Sequence, residues 1–320
     1  MIINMKCHRI CIALFWLLSL VPSLEGATSL KILLVERSGQ SEIVPLDDPS
    51  KRTAVRNMGF EDKKFFEPQL ARGSDGTIYV TSKNYYSFQT TAGIYTYNPA
   101  QNAATLLVRD PAGYPYDGIN GLAFANNRVY WNNFRTSRIY SARPDGSDLG
   151  IITGVAAGSL AATSDFFYWG RGGSYLPDRG IWRMNMATGV QEEVINLYSL
   201  YDTFADGIQS PRSVYVARDE LFWINQNGTL YSTDLSRSSP AMPKVLATNI
   251  SDIDIYGDRI YYVSTVNVGS MDLQGGNNQV LFATALAAPR VGMKILVIPE
   301  PSTVLLVLLG STFAALRRSR

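Results

Sequence analysis

Short apolar runs separated by polar turns succeed one another along most of this chain. That is the pattern of β-strands joined by tight connections. Five segments share one shape: a short apolar strand, a polar turn, then a strand with paired aromatics. They centre on Thr77-Ile78-Tyr79-Val80-Thr81, Arg128-Val129-Tyr130-Trp131-Asn132, Phe167-Tyr168-Trp169-Gly170, Leu221-Phe222-Trp223-Ile224 and Ile260-Tyr261-Tyr262-Val263. Most of them continue into a further strand and turn. Ile139-Tyr140-Ser141 leads to Asp145-Gly146, Ile181-Trp182-Arg183-Met184 to Thr188-Gly189, and Ile94-Tyr95-Thr96-Tyr97 to Asn98-Pro99; Leu230-Tyr231-Ser232 comes after Asn227-Gly228. Asn-Gly and Asp-Gly suit hairpins because they accept positive φ. A last short strand closes a unit, as at Val245-Leu246-Ala247 and Val280-Leu281-Phe282.

The units recur at intervals of about 40 to 50 residues, the length of a propeller blade, and four short antiparallel strands make a blade. Lys31 to Val35 and Glu42 to Leu46 form a hairpin with no upstream partner, and Met293 to Val297 is a lone strand at the other end. Pairing them completes a sixth unit and removes two exposed edges. The expected fold is therefore all-β, a six-bladed β-propeller over residues 27–298, rather than five or seven blades. A β-sandwich or jelly roll with accidental repeats is the competing architecture.

The two ends break this pattern. Met1 to Arg9 carry Lys6 and Arg9, Ile10 to Val21 are almost wholly apolar, and small residues lead on to Gly26 and Ala27. Basic, apolar, small is the order of a secretory signal peptide, here 1–26. A transmembrane anchor is the other reading, for which about 20 apolar residues are needed. At the far end, Pro299-Glu300-Pro301-Ser302 precedes an uncharged run to Leu316 and the cluster Arg317-Arg318-Ser319-Arg320. As a helix, Ser302 to Leu316 would span about 22 Å at 1.5 Å per residue. A hydrocarbon core is about 30 Å thick, so the run is a poor permanent anchor. The arginines favour the cytoplasmic side. Pro299 and Pro301 leave an extended strip that a protease can reach.

Composition matters chiefly through what the signal removes. Both cysteines, Cys7 and Cys11, and the only histidine, His8, lie inside it. The mature chain then has no disulfide, no thiolate nucleophile, no zinc site built on Cys or His, and no Ser-His-Asp triad. Setting aside Lys6, Arg9, Glu25, Glu300, Arg317, Arg318 and Arg320 leaves a body close to neutral. No basic block invites nucleic acid.

Candidate chemistry sits in the loops that lead into the innermost strand of each blade. Tyr116-Asp117-Gly118-Ile119-Asn120-Gly121 and Ala205-Asp206-Gly207-Ile208-Gln209-Ser210-Pro211-Arg212 repeat each other. The corresponding loops hold Glu67, Asp252 and Pro289-Arg290. In this register Glu67, Asp117, Asp206 and Asp252, with Arg212, converge on one mouth of the channel. Such carboxylates suit a Ca²⁺ ion or a cationic ligand, or two of them the acid and base of glycoside cleavage. Asp-Gly before a strand is also often only a turn, and a polar channel often binds only water. No catalytic residue is assigned.

Two resemblances rest on these residues. Pro299-Glu300-Pro301-Ser302, the apolar run and the arginines Arg317, Arg318 and Arg320 resemble the PEP-CTERM sorting domain of Gram-negative bacteria, over 299–320 only. The resemblance implies an exosortase-type processing enzyme as partner, a transient inner-membrane intermediate, and delivery to the cell surface or an extracellular matrix. The body resembles the YWTD-type six-bladed propeller. Its tetrads read Tyr130-Trp131-Asn132-Asn133, Tyr168-Trp169-Gly170-Arg171, Phe222-Trp223-Ile224-Asn225 and Tyr261-Tyr262-Val263-Ser264. The aromatic pair persists and the Thr-Asp pair does not, which implies aromatic packing between blades without the family's aspartate contacts. The expectation is an exported, non-enzymatic binding or structural protein for a polysaccharide or surface protein. A carboxylate-dependent hydrolase or lyase acting on matrix glycans is the alternative.

Overall fold

The computed structural model describes residues 28–36, 41–55, 69–82, 93–99, 101, 103–111, 119–133, 136–154, 158–171, 180–197, 211–236, 242–284 and 291–299. The expected signal peptide and C-terminal sorting helix lie outside them, apart from Pro299. Among the described residues no helix is long and apolar enough to cross a membrane. Contacts group 31–296 into one compact unit and 1–30 with 297–320 into another. The propeller is built on the first of these.

Its described strands form six sheets, each of four strands. Five sheets are built from consecutive strands. Blade I is β4 (Leu70–Arg72), β5 (Ile78–Ser82), β6 (Gly93–Asn98) and β7 (Ala103–Arg109). Blade II is β8 (Ile119–Ala125), β9 (Arg128–Asn133), β10 (Arg138–Ala142) and β11 (Gly150–Gly154). Blade III is β12 (Leu160–Ala162), β13 (Phe166–Arg171), β14 (Gly180–Asn185) and β15 (Gln191–Asn196). Blade IV is β16 (Pro211–Ala217), β17 (Glu220–Asn225), β18 (Leu230–Asp234) and β19 (Lys244–Ala247). Blade V is β20 (Ile250–Tyr256), β21 (Arg259–Ser264), β22 (Asn267–Asp272) and β23 (Gln279–Ala283). Blade VI joins the two ends of the chain. The strand order there is β24 (Val291–Pro299), β1 (Thr28–Glu36), β2 (Ser41–Pro45), β3 (Thr53–Val55). The expected sixth unit thus forms, and the fold is the six-bladed propeller.

The aromatic tetrads explain why blades stack. Successive side chains of a strand point to opposite faces. On β9, Val129 and Trp131 pack toward blade I, with Ala71 and Tyr79, whereas Tyr130 packs toward blade III, with Phe167 and Trp169. On β17, Leu221 and Trp223 meet Tyr168 of blade III, and Phe222 and Ile224 meet Ile253 and Tyr262 of blade V. The pairs on β9, β13 and β17 therefore each supply one ring to each neighbouring interface. Trp131, Trp169 and Trp223 are fully buried. Truncating one of them would cost about 3–5 kcal/mol.

The turns behave as their residues predict. Gly146 and Gly228 take φ of 82° and 84° in the Asp-Gly and Asn-Gly turns. The fourth tetrad position acquires a role. Asn225 Oδ1 accepts from Thr229 N at 2.8 Å, Asn133 Oδ1 from Thr136 N at 3.2 Å, and Ser264 Oγ from Asn267 N at 3.0 Å. Each caps the hairpin that leaves its own strand.

The ring has two faces. Inner strands begin on the entry face, where β9 ends opposite Ile119 and β17 ends opposite Pro211. They finish on the exit face.

Candidate functional site

The inner strands carry a local irregularity at the entry end. Paired with its neighbour, β8 skips Asn120, β16 skips Arg212 and β20 skips Ser251. A bulge of this kind re-aims one side chain and leaves backbone groups outside the ladder. Arg212 answers that need across the blade boundary. Its Nη2 donates to the carbonyls of Ile250 at 3.1 Å and Ser251 at 2.5 Å.

Past the bulge, β20 presents two carboxylates on one face, Asp252 and Asp254. Asp252 Oδ1 accepts from the Tyr215 hydroxyl, and Oδ2 from Met293 N at 2.7 Å. Asp254 Oδ1 accepts from Lys294 Nζ at 3.1 Å, and Oδ2 from Ile295 N at 2.8 Å. Arg72 Nη1 stands 3.4 Å from Asp254 Oδ2 and donates to Ile295 O at 2.9 Å; Nη2 donates to Ile255 O at 3.1 Å. Met293 is level with Asp252 and Ile295 with Asp254, so β24 runs in the same direction as β20. Two alternate N–H groups of β24 are thereby satisfied by side chains of blade V, as a paired strand would satisfy them.

Burial shapes the electrostatics. Desolvation pushes the Asp252 carboxyl above its ordinary value, against the pull of Lys294, the Tyr215 hydrogen bond, the Met293 N–H and Arg212. Tyr215 is driven well above the usual phenol value, first by burial and then by the Asp252 charge. Asp254 and Lys294 are both buried. Removing one partner of such a pair costs about 3–5 kcal/mol because the other charge is left uncompensated.

Of the residues expected at the mouth, the structure brings Arg212 and Asp252 to adjacent inner strands near the entry end. Glu67, Asp117 and Asp206 lie outside the described residues. Asp252 falls inside β20 rather than in the loop before it, because the strand begins at Ile250 and the bulge takes up Ser251. Ile119 and Pro211 are the equivalent positions, opposite Asn133 and Asn225. Asp117 precedes its anchor by two residues and Asp206 by five, counted along the sequence. Sequence reasoning missed Asp254, Lys294, Arg72 and Tyr215. The signal was there in Asp252-Ile253-Asp254-Ile255, two carboxylates on one face of an otherwise apolar strand.

Chemically, the described inner wall is a bonded lattice. Both oxygens of Asp252 and both of Asp254 have donors. Among the described residues, no three His, Cys, Asp or Glu side chains gather in a way that would hold a metal ion.

No protein-family model matches the chain, and no curated protein matches it in sequence. Solved structures do. A chain from the crystal structure of a nidogen/laminin complex superposes with a TM-score of 0.61 at 16% identity, covering 83% of this chain and 98% of that one. The computationally designed Ika8 protein gives a TM-score of 0.43 at 14% identity, over 78% of this chain and 67% of that one. The first likeness is one of fold, over nearly the whole of the other chain.

Proposed function

We propose that this chain is an exported propeller, delivered to the cell surface or extracellular matrix, that binds a polysaccharide or a surface protein and is not a catalyst. The observation that carries the reading is the order of parts at the C-terminus. The strand that closes the ring, β24, runs directly into Pro299-Glu300-Pro301, the uncharged run and the arginine cluster. An exosortase-type enzyme is the processing partner, and the inner membrane holds the chain only in transit. A leader at 1–26 starts the same route.

Two further facts support a binding role. The carboxylates of the inner wall, Asp252 and Asp254, are engaged in holding β24 and do not face a substrate as a free acid and base. A chain of similar fold was crystallised in a nidogen/laminin complex, a protein–protein assembly. By that analogy the propeller supplies a surface, and the blades hold it rigid.

Fractionation tests the address. Cells expressing the intact chain should place it in the surface or matrix fraction; replacing Pro299-Glu300-Pro301 with alanines should strand it in the inner membrane. Equal distribution of the two forms would remove the sorting role. Cleavage of matrix glycans by the purified chain, lost in Asp117→Asn or Asp206→Asn, would replace the binding reading with the hydrolytic one.

A further inference from the structure

Among the described residues, the two faces of the ring differ in charge. Aspartates of the tight turns crowd the exit face, Asp75, Asp145, Asp165, Asp219, Asp258 and Asp272 among them. Several serve their own turns; Asp145 Oδ1, for one, accepts from Ser147 N at 2.9 Å. Cations on that side are matched: Arg128 and Arg143 to Asp148, Arg218 to Asp258.

The entry face of blades I to III is different. Arg109 ends β7, Arg138 begins β10 and Arg171 ends β13, all three at strand ends on this face and all exposed. None donates a hydrogen bond or forms an ion pair among the described residues. The carboxylate beside Arg109 is already taken: Asp110 is buried and accepts from Asn133 Nδ2 at 2.5 Å. Glu193, opposite Trp182 on the outer strand of blade III, accepts from Asn196 at 3.2 Å.

Arg171 is the most informative of the three. It occupies the fourth tetrad position, where Asn133, Asn225 and Ser264 cap their hairpins. A guanidinium has no acceptor and cannot do that. Instead it lies over the Trp182 ring, 5.1 Å from the centroid. Stacking holds the fork in place while its N–H donors stay free, the state in which arginine recognises carboxylates in pairs of bonds.

We infer that Arg109, Arg138 and Arg171 form an anion-binding arc on the entry face, and that its ligand is an acidic polysaccharide bearing uronate carboxylates. The three cations stand on successive blades. A small anion meets one of them, whereas an extended polymer charged at every unit meets several at once. The inference rests on the matrix reading of the proposed function and names the ligand class for it.

The test passes the purified chain over immobilised polyuronate, neutral dextran and double-stranded DNA. Retention is expected on polyuronate at low salt, with release as salt screens the exposed charges. Arg109→Gln/Arg138→Gln/Arg171→Gln should bind about tenfold more weakly, as the loss of three charge-assisted contacts implies. The exit-face variant Arg143→Gln/Arg218→Gln should bind as the parent does. The three side chains are exposed, so the melting temperature should not move; if it does, Arg171→Gln alone is read, with a smaller loss expected. No retention on polyuronate, equal loss in both variants, or equal retention on dextran or DNA would overturn the inference. Fractionation reads the address independently, so a chain that is exported but ignores polyuronate fails on its ligand alone.

Discussion

Asp252 and Asp254 are two residues apart on one strand and show how differently a ring interior treats like groups. Asp254 has a full cation, Lys294, at 3.1 Å and a second, Arg72, at 3.4 Å. Asp252 has a phenol and a backbone N–H, and burial holds its carboxyl above the ordinary 3.8. Linkage sets the sign. A raised folded-state pKa gives stability that is complete below the unfolded value and lost as the pH rises through the folded one. Turn aspartates such as Asp75 and Asp145 are lowered by their own turn hydrogen bonds and act in the opposite sense, losing their contribution as the pH falls. Asp252→Asn removes one titration of the first kind. Relative to the parent it should gain stability as the pH rises above the ordinary carboxyl value of 3.8, measured by urea unfolding at stepped pH. A difference independent of pH would mean that Asp252 carries no such penalty.

At the scale of the element, the irregularities repeat as faithfully as the strands. In five blades the outer strand has one residue outside the ladder: Leu107, Ile152, Val194, Leu246 and Leu281. A bulge twists an exposed edge and spoils it as a template for another chain. That matters here because Leu106, Ile151, Val245 and Val280 lie exposed on those same strands. Inner strands approach one another so closely that some side chains are forbidden. A Cβ on Gly121 would lie 2.6 Å from Leu160 N and 2.7 Å from its Cβ. Gly121→Ala should therefore force blades II and III apart at a cost of about 1–3 kcal/mol. Denaturant unfolding would show it as a lower midpoint; an unchanged midpoint would mean that β12 yields freely.

For the whole molecule the decisive element is β24. Blades I to V are each local in sequence, but blade VI needs residues from both ends of the chain. β24 is held by β1 within its sheet, by Asp252 and Asp254 from blade V, and by Arg72 from blade I. Arg52 adds a clasp at the rim, donating to Ala283 O at 2.9 Å. A chain ending at Arg290 should lose cooperative unfolding, since it exposes the edge of β1 and leaves Asp254 and Arg72 without Lys294 and the Ile295 backbone. A chain ending at Pro299 should keep it. Circular dichroism through a urea titration distinguishes the two, and a cooperative transition in the shorter chain would show that five blades suffice.

Strand positions, turn types, blade count and the joining of the two termini were all legible in the order of residues, because each depends on local alternation and on tetrads that repeat at blade length. The proposed sorting tail rests on a linear motif alone. The polar inner wall was legible only in part. Asp252 and Arg212 stood out as charged residues near a turn, but the bulges that aim them depend on a register between strands, which no single segment encodes. Lys294 and Arg72 are separated by most of the chain and become neighbours only when the ring closes. The idle state of Arg171 is likewise a tertiary fact: a guanidinium is functionally available only if folding brings it no partner.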